Sequence, residues 1–412
     1  MNIGLIGFGC VGSGLYEVLN KSNLIDATIK TIVVKDQNKE RGLPAEAFSY
    51  DVSEIINDPE INVVVELIND SEAAFEIVYS AFQAGKSVVS ANKKLIAEHL
   101  DELLDLAAKN KVSFLYEGAV AGSIPIIRNL EEYYNNDSLT SLEGITNGTT
   151  NYILTQSNYG VDYVTALQEA QDLGFAELDP TLDVDGFDSK YKLVLLIKHA
   201  FGLSISPSDI VNVGIRNITK NEVEYANEKG YRIKLLSRAE KVGDKVVGFV
   251  APHYVKKEHS AYGVDNEFNA VIVEALFSDK QLFIGKGAGS HPTASAVLSD
   301  VSALKFDYKY EYRKTIENQA LEFTKDFFVR VYLGSPYLEV INQVAFYKID
   351  EVYQSEEYVY QTGWVKFSEL TTLDFNGSRD LSLVILPDPI QSSNRFMEKT
   401  SERLSTLELT LL

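Results

Sequence analysis

Residues 2–8 form a short, almost wholly apolar run of the kind buried in parallel sheets. Val11, Leu15, Val18 and Leu19 then recur at helical spacing. The same alternation continues. Strands are predicted over 28–34, 63–68, 88–90 and 112–116, and amphipathic helices over 72–84, closed by Gly85, and over 96–109. Strands and helices joined by short turns predict a doubly wound α/β unit with a parallel sheet. The pattern then changes. A strand over 139–146 is followed by a helix starting near Tyr152 and by another over 162–173, with Asp162 as cap and Gly174 as terminator. Runs 269–277 and 281–284 flank Ser278-Asp279-Lys280 as a hairpin, and 293–304 reads as a helix. In the tail, 326–333, 358–367 and 381–386 read as strands and 336–346 as a helix.

Three units are expected. Residues 1–130, rejoined by about 289–310, form the doubly wound domain. Residues 131–288 form a central α+β domain, an open sheet with helices on one side. Residues 318–412 form a small α+β tail. A chain of 412 residues is long enough for this division.

Composition narrows the function classes. A formal charge of -21 repels phosphate backbones and anionic lipid, which argues against nucleic-acid and membrane partners. The five histidines show no metal-ligand spacing. The single cysteine, Cys10, cannot form an intrachain disulfide, and the N-terminus enters a strand without a basic leader. Both fit a cytoplasmic protein.

The first strand ends in Gly7-Phe8-Gly9-Cys10-Val11-Gly12, a GxGxxG placed after a strand and opening a helix. In that setting the glycines allow a tight turn, close approach of a pyrophosphate and close helix–strand packing. Lys35-Asp36 closes the second strand, where a ribose is read. Asp favours the 2'-hydroxyl of NAD and Lys the 2'-phosphate of NADP, so both cofactors stay open. Lys93 and Glu117 follow the fourth and fifth strands, at the edge where open parallel sheets bind ligands. Glu177, Asp179, Asp183, Asp185 and Asp188 fall within twelve residues, directly before an apolar helix that carries Lys192. Asp188 and Lys192 share a helical face. An alcohol dehydrogenase must accept a hydroxyl proton near neutral pH, and a desolvated lysine serves. Burial lowers the pKa of such a lysine and Asp188 raises it; sequence leaves open which wins. Glu177, Asp179 and Asp183 suit a substrate ammonium group.

These motifs together resemble the homoserine dehydrogenases. SANK at 90–93, YEGAVAGSIPII at 116–127, NGTTNYIL at 147–154, GFAELDPTLDVDGFDSKYK at 174–192 and GKGAGSHPTASAV at 285–297 follow the N-terminal GxGxxG in the family's order. The resemblance spans roughly residues 1–305. It implies a Rossmann-type NAD(P) domain, a substrate and dimerisation domain, and interconversion of L-homoserine and L-aspartate 4-semialdehyde by a monofunctional homodimer or homotetramer. It implies Lys192 as proton-transfer lysine, with Asp188 and a second lysine, Lys93, at the reaction centre. Glu177 and Asp188 match the acids that hold the substrate amino group or position the site. The cofactor falls to Gly7, Gly9, Cys10, Val11, Gly12, Lys35, Lys93 and Gly289. Glu117, Val120, Gly122 and Ile124 match a sodium site. Asn69-Asp70 replaces a family Gly-Gly pair, and Gly118 and Ser123 replace an Ala and a Gly. The tail resembles an ACT-like regulatory or oligomerisation domain.

Overall fold

The computed structural model describes residues 1–21, 25–317, 320–377 and 380–397. Its first sheet is parallel and contains β1 (Asn2–Ile6), β2 (Thr28–Val33), β3 (Val63–Glu66), β4 (Ser87–Ser90) and β5 (Phe114–Leu115), in the order β2-β1-β3-β4-β5. Ile3, Leu5, Val64, Val65, Val88 and Val89 are fully buried, as strands covered on both faces require. Helices α1 (Cys10–Lys21), α2 (Ser71–Gln83) and α3 (Lys93–Asn110) connect the strands. The strand order reverses between β1 and β3, which creates the crevice where such sheets bind ligands.

Side-chain caps move two helix starts ahead of their hydrophobic periodicity. Asp70 accepts from Ala73 N at 3.1 Å and starts α2. Asn92 accepts from Leu95 N at 3.1 Å, so α3 begins at Lys93 rather than at residue 96. Residue Asp70 of the Asn69-Asp70 departure therefore has a structural use as a cap.

α4 (Ile126–Glu131) leads to the second sheet. There β6 (Leu139–Ile145), a hairpin of β7 (Arg232–Val242) and β8 (Lys245–Val255), and a hairpin of β9 (Phe268–Ala275) and β10 (Asp279–Lys286) lie in the order β10-β9-β6-β7-β8, each antiparallel to its neighbour. Helices α5 (Gly148–Asn158) and α7 (Phe187–Phe201) pack on this sheet, and α6 (Tyr163–Asp172) packs on α5. α8 (Lys220–Lys229) follows. α9 (Ser290–Leu304) then returns to α1, where Ser290 Oγ donates to Cys10 O at 2.8 Å.

The tail adds β11 (Phe327–Ser335), β12 (Phe346–Gln354), β13 (Val359–Lys366) and β14 (Ser382–Ile385). Ile385 of β14 pairs with His253 of β8, so among the described residues the second sheet runs on as β10-β9-β6-β7-β8-β14-β11-β13-β12. Phe327, Val329, Val331 and Leu333 share a buried cluster with Val247, Phe249 and Ala251 of β8. The helix predicted over 336–346 is corrected to a single turn, Leu338–Ile341, followed by β12. β-branched Val340 and Ile341 and the following Asn342 are weak helix formers, and the chain turns at once into a strand.

Candidate active site

α7 runs from a left-handed Gly186 cap (φ 79°) and buries Leu193, Val194, Leu195, Leu196 and Ile197. The helix is apolar on nearly all sides, so Asp188 and Lys192 of its first turns are carried into the interior with it. Their side chains are 6% and 8% exposed. Lys192 Nζ donates to Asp188 Oδ2 at 2.7 Å and to Thr146 O at 2.6 Å. Across the cleft, Lys93 Nζ lies 2.9 Å from Asp188 Oδ1. One carboxylate thus bridges two lysines. Asn147 clamps the arrangement: its Nδ2 donates to Asp188 Oδ2 at 2.9 Å and to Asp183 Oδ1 at 2.7 Å, while its Oδ1 caps α5 through Thr150 N at 2.9 Å.

The two lysines are pushed in opposite directions. Burial is the largest influence on Lys192 and lowers its pKa, outweighing the attraction of Asp188; the neighbouring Lys93 charge lowers it further. Lys93 keeps 40% exposure, and Asp188 above all raises its pKa. Burial pushes Asp188 up, but Lys192 and Lys93 together hold it well below the usual carboxylate range. Asp183 is raised by burial and by Asp188. The site therefore pairs a cationic Lys93 with a Lys192 drawn toward its neutral form.

The remaining acids part company. Glu177 is exposed at the rim, although its charge still acts on Lys93. Asp179 closes a turn onto Thr181 Oγ1 at 2.6 Å. Asp185 turns away to Arg216. Sequence reasoning marked Asn147 within the NGTTN run but missed its bonds to Asp183 and Asp188. It also missed the Thr146 carbonyl, which no side-chain pattern marks.

The dinucleotide loop has the required geometry. Gly7 has φ +96°, and a Cβ there would lie 2.5 Å from Leu67 O; a Cβ on Gly12 would lie 2.3 Å from Gly7 O, whereas one on Gly9 meets nothing within 4 Å. Gly7 and Gly12 serve turn and packing, and Gly9 leaves the approach to the loop open. Gly12→Ala is expected to lower stability by about 1–3 kcal/mol through overpacking. Gly9→Ala is expected to keep the melting temperature and weaken cofactor binding. Thermal melts and nucleotide titrations separate the two. Cys10 and Val11 open α1, and the α9 cap Gly289 (φ 114°) is brought beside them through the Ser290–Cys10 bond. Lys35 is exposed beyond β2, while Asp36 Oδ1 accepts from Asn38 N at 2.8 Å within its own turn.

Glu117 lies under the loop that carries Val120, Gly122 and Ile124. Its two oxygens accept from Ile127 N at 2.9 Å and Arg128 N at 2.8 Å. Burial and the neighbouring Asp300 raise Glu117 to about 8, and burial raises Asp300 to about 7. Two buried carboxylates thus share Arg128, whose Nη2 donates to Asp300 at 2.9 Å. Both carboxyl groups are drawn toward their neutral forms, with Arg128 as the cation beside them.

Residues 7–117 match the family model for the homoserine dehydrogenase NAD-binding domain, and residues 125–302 match that for homoserine dehydrogenase. The chain is 40% identical over 313 residues to the Lactococcus lactis homoserine dehydrogenase, covering 73% of each chain. It is 39% identical over 314 residues to that of Bacillus subtilis, covering 74% of this chain and 72% of the relative. The chain belongs to the homoserine dehydrogenase family. A crystal structure of a homoserine dehydrogenase from Thiobacillus denitrificans superposes with a TM-score of 0.80 at 30% identity, covering 94% of this chain and 98% of that one. Coverage of that extent takes the likeness into the tail. As a homoserine dehydrogenase, the protein is an NAD(P)-dependent oxidoreductase that interconverts L-homoserine and L-aspartate 4-semialdehyde. Among its described residues no helix is long and apolar enough to cross a membrane.

Proposed function

We propose that Lys192 accepts the proton of the homoserine hydroxyl and returns it in the reverse direction. The Asp188 carboxylate shared between Lys192 and Lys93 carries this reading. It orients both ammonium-bearing chains, and burial has lowered the Lys192 pKa despite it. Lys93, cationic and half-exposed at the start of α3, faces substrate and cofactor and stabilises negative charge on the reacting oxygen. Asp183 and, from the rim, Glu177 attract the substrate ammonium group. NAD(P), when bound, supplies the hydride acceptor. The loop Gly7, Gly9, Cys10, Val11 and Gly12, with Lys35 and Gly289, holds it. A sodium ion beside Glu117, with carbonyls of Val120, Gly122 and Ile124, has a structural role. Rates with homoserine and either NAD or NADP test the cofactor assignment.

The chain divides into domains at about 130, 288 and 318, with the tail as an ACT-like regulatory or oligomerisation unit in a cytoplasmic enzyme. Leu276, Phe277, Leu282 and Ile284 are 66%, 78%, 41% and 55% exposed around β10, the end strand of the sheet among the described residues, which supports a homodimer or homotetramer. Light scattering is expected to give twice or four times the chain mass; a monomer at micromolar concentration contradicts this.

A further inference from the structure

Glu66 is the last residue of β3, beside Ile6 of β1 and Ser90 of β4, directly beneath the crevice where the strand order reverses. It is fully buried. Its Oε2 accepts from Ser90 Oγ at 2.6 Å and its Oε1 from Ile68 N at 2.7 Å. Ser90 Oγ in turn accepts from Asn92 N at 3.0 Å, and Asn92 Nδ2 donates to Ile68 O at 3.0 Å, closing a ring. The ring joins the loops that follow β3 and β4. It also touches the dinucleotide loop, because Gly7 packs against the Leu67 carbonyl. Its far side fixes Asn92, whose cap places Lys93 at the head of α3.

A carboxylate is a poor choice for scaffolding alone. Among the described residues no cation is bonded to Glu66, and burial raises it to about 7, opposed only by its bonds to Ser90 and Ile68. The nearest charged residues along the two loops are otherwise engaged: Asp70 caps α2 and Lys93 is paired with Asp188. Three loops therefore converge on an uncompensated acid at the cofactor edge. The two redox forms of a nicotinamide cofactor differ by one positive charge on the ring, which is cationic when oxidised.

We propose that Glu66 is a positioning residue that holds the loops after β3 and β4 in one ring, and that its carboxylate favours the oxidised, cationic nicotinamide over the reduced one. The ring component rests on the reading of Lys93 given above; the charge component does not.

Affinities for oxidised and reduced cofactor, measured at pH 8.5 by calorimetry and by fluorescence of the reduced form, test this. Glu66→Gln keeps the shape and removes the charge. Its affinity for the oxidised form is expected to fall roughly tenfold, as for a charge pair lost at about 10 Å in a partly polar medium, while that for the reduced form changes less than about twofold. Ser90→Ala breaks the ring but keeps the charge. It is expected to preserve the oxidised-to-reduced ratio and lower kcat. Equal weakening of both forms in Glu66→Gln, or no change in either, overturns the charge role. A Ser90→Ala enzyme with unchanged kcat overturns the ring. If Lys93→Ala retains full activity while Glu66→Gln shifts the ratio, the Lys93 reading fails and the Glu66 charge role stands. Thermal melts of each variant identify simple unfolding, in which case Glu66→Asp, which retains the charge and is expected to keep the ratio, replaces the glutamine variant in the comparison; a lost ratio there also overturns the proposal.

Discussion

Lys192→Ala is expected to lower kcat for homoserine oxidation by about 10²–10⁴-fold, the usual worth of a positioned proton acceptor. Cofactor affinity is expected to change little, because Lys192 bonds to Asp188 and Thr146 and not to the dinucleotide loop. The fold is expected to survive, since Asp188 keeps Lys93 and Asn147 as partners and is not left as an orphan charge. Initial rates, nucleotide titrations and circular dichroism on the same preparation give all three quantities. A variant that folds, binds cofactor and turns over at the parent rate removes Lys192 from proton transfer.

Asp188→Ala is expected to have the largest effect on stability. It leaves Lys192 buried without its carboxylate and sets two ammonium groups facing each other. Breaking a buried pair from one side typically costs about 3–5 kcal/mol. The sign with pH follows from Lys192, whose pKa in the folded protein already lies below its unfolded value. Without Asp188 it falls further. The penalty is complete below that lowered pKa, where the buried amine must be charged. It shrinks as pH rises above it and vanishes near the unfolded value of about 10.4. Urea melts at pH 7 and pH 10 are therefore expected to show a much smaller gap between variant and parent at the higher pH. An equal gap at both would place the destabilisation in packing rather than charge.

The parallel sheet was legible because its strands are apolar runs punctuated by glycines, and the GxGxxG lies where the strand–helix junction requires it. The site was legible as a set of motifs but not as a geometry. Five acids in one short segment look alike in sequence; the turn of the chain sends Asp183 and Asp188 inward, Asp185 to Arg216, and Glu177 to the rim. The contest over the Lys192 pKa required burial, which depends on α5, α7 and β6 meeting. The β7–β8 hairpin was not read. Nearly every residue of β8 is buried on both faces, so alternation is lost, and Pro252 sits in mid-strand opposite Leu235, where proline normally argues against a strand. β12 was missed for the opposite reason: as the end strand of the path it exposes Tyr347, Ile349, Val352 and Tyr353, so no buried face organises its pattern. Glu66 was invisible because one acid at the end of an apolar strand carries no local signal of the ring that holds it.

In the proposed mechanism, burial prepares Lys192 to accept a proton. The pH dependence of kcat/KM for homoserine oxidation, followed from pH 6 to pH 11 in the parent and in Lys192→Ala, tests it most directly. The parent is expected to show an acidic limb with an apparent midpoint below the free-lysine value of about 10.4, and the variant to lose it. The same limb in both proteins would contradict this mechanism.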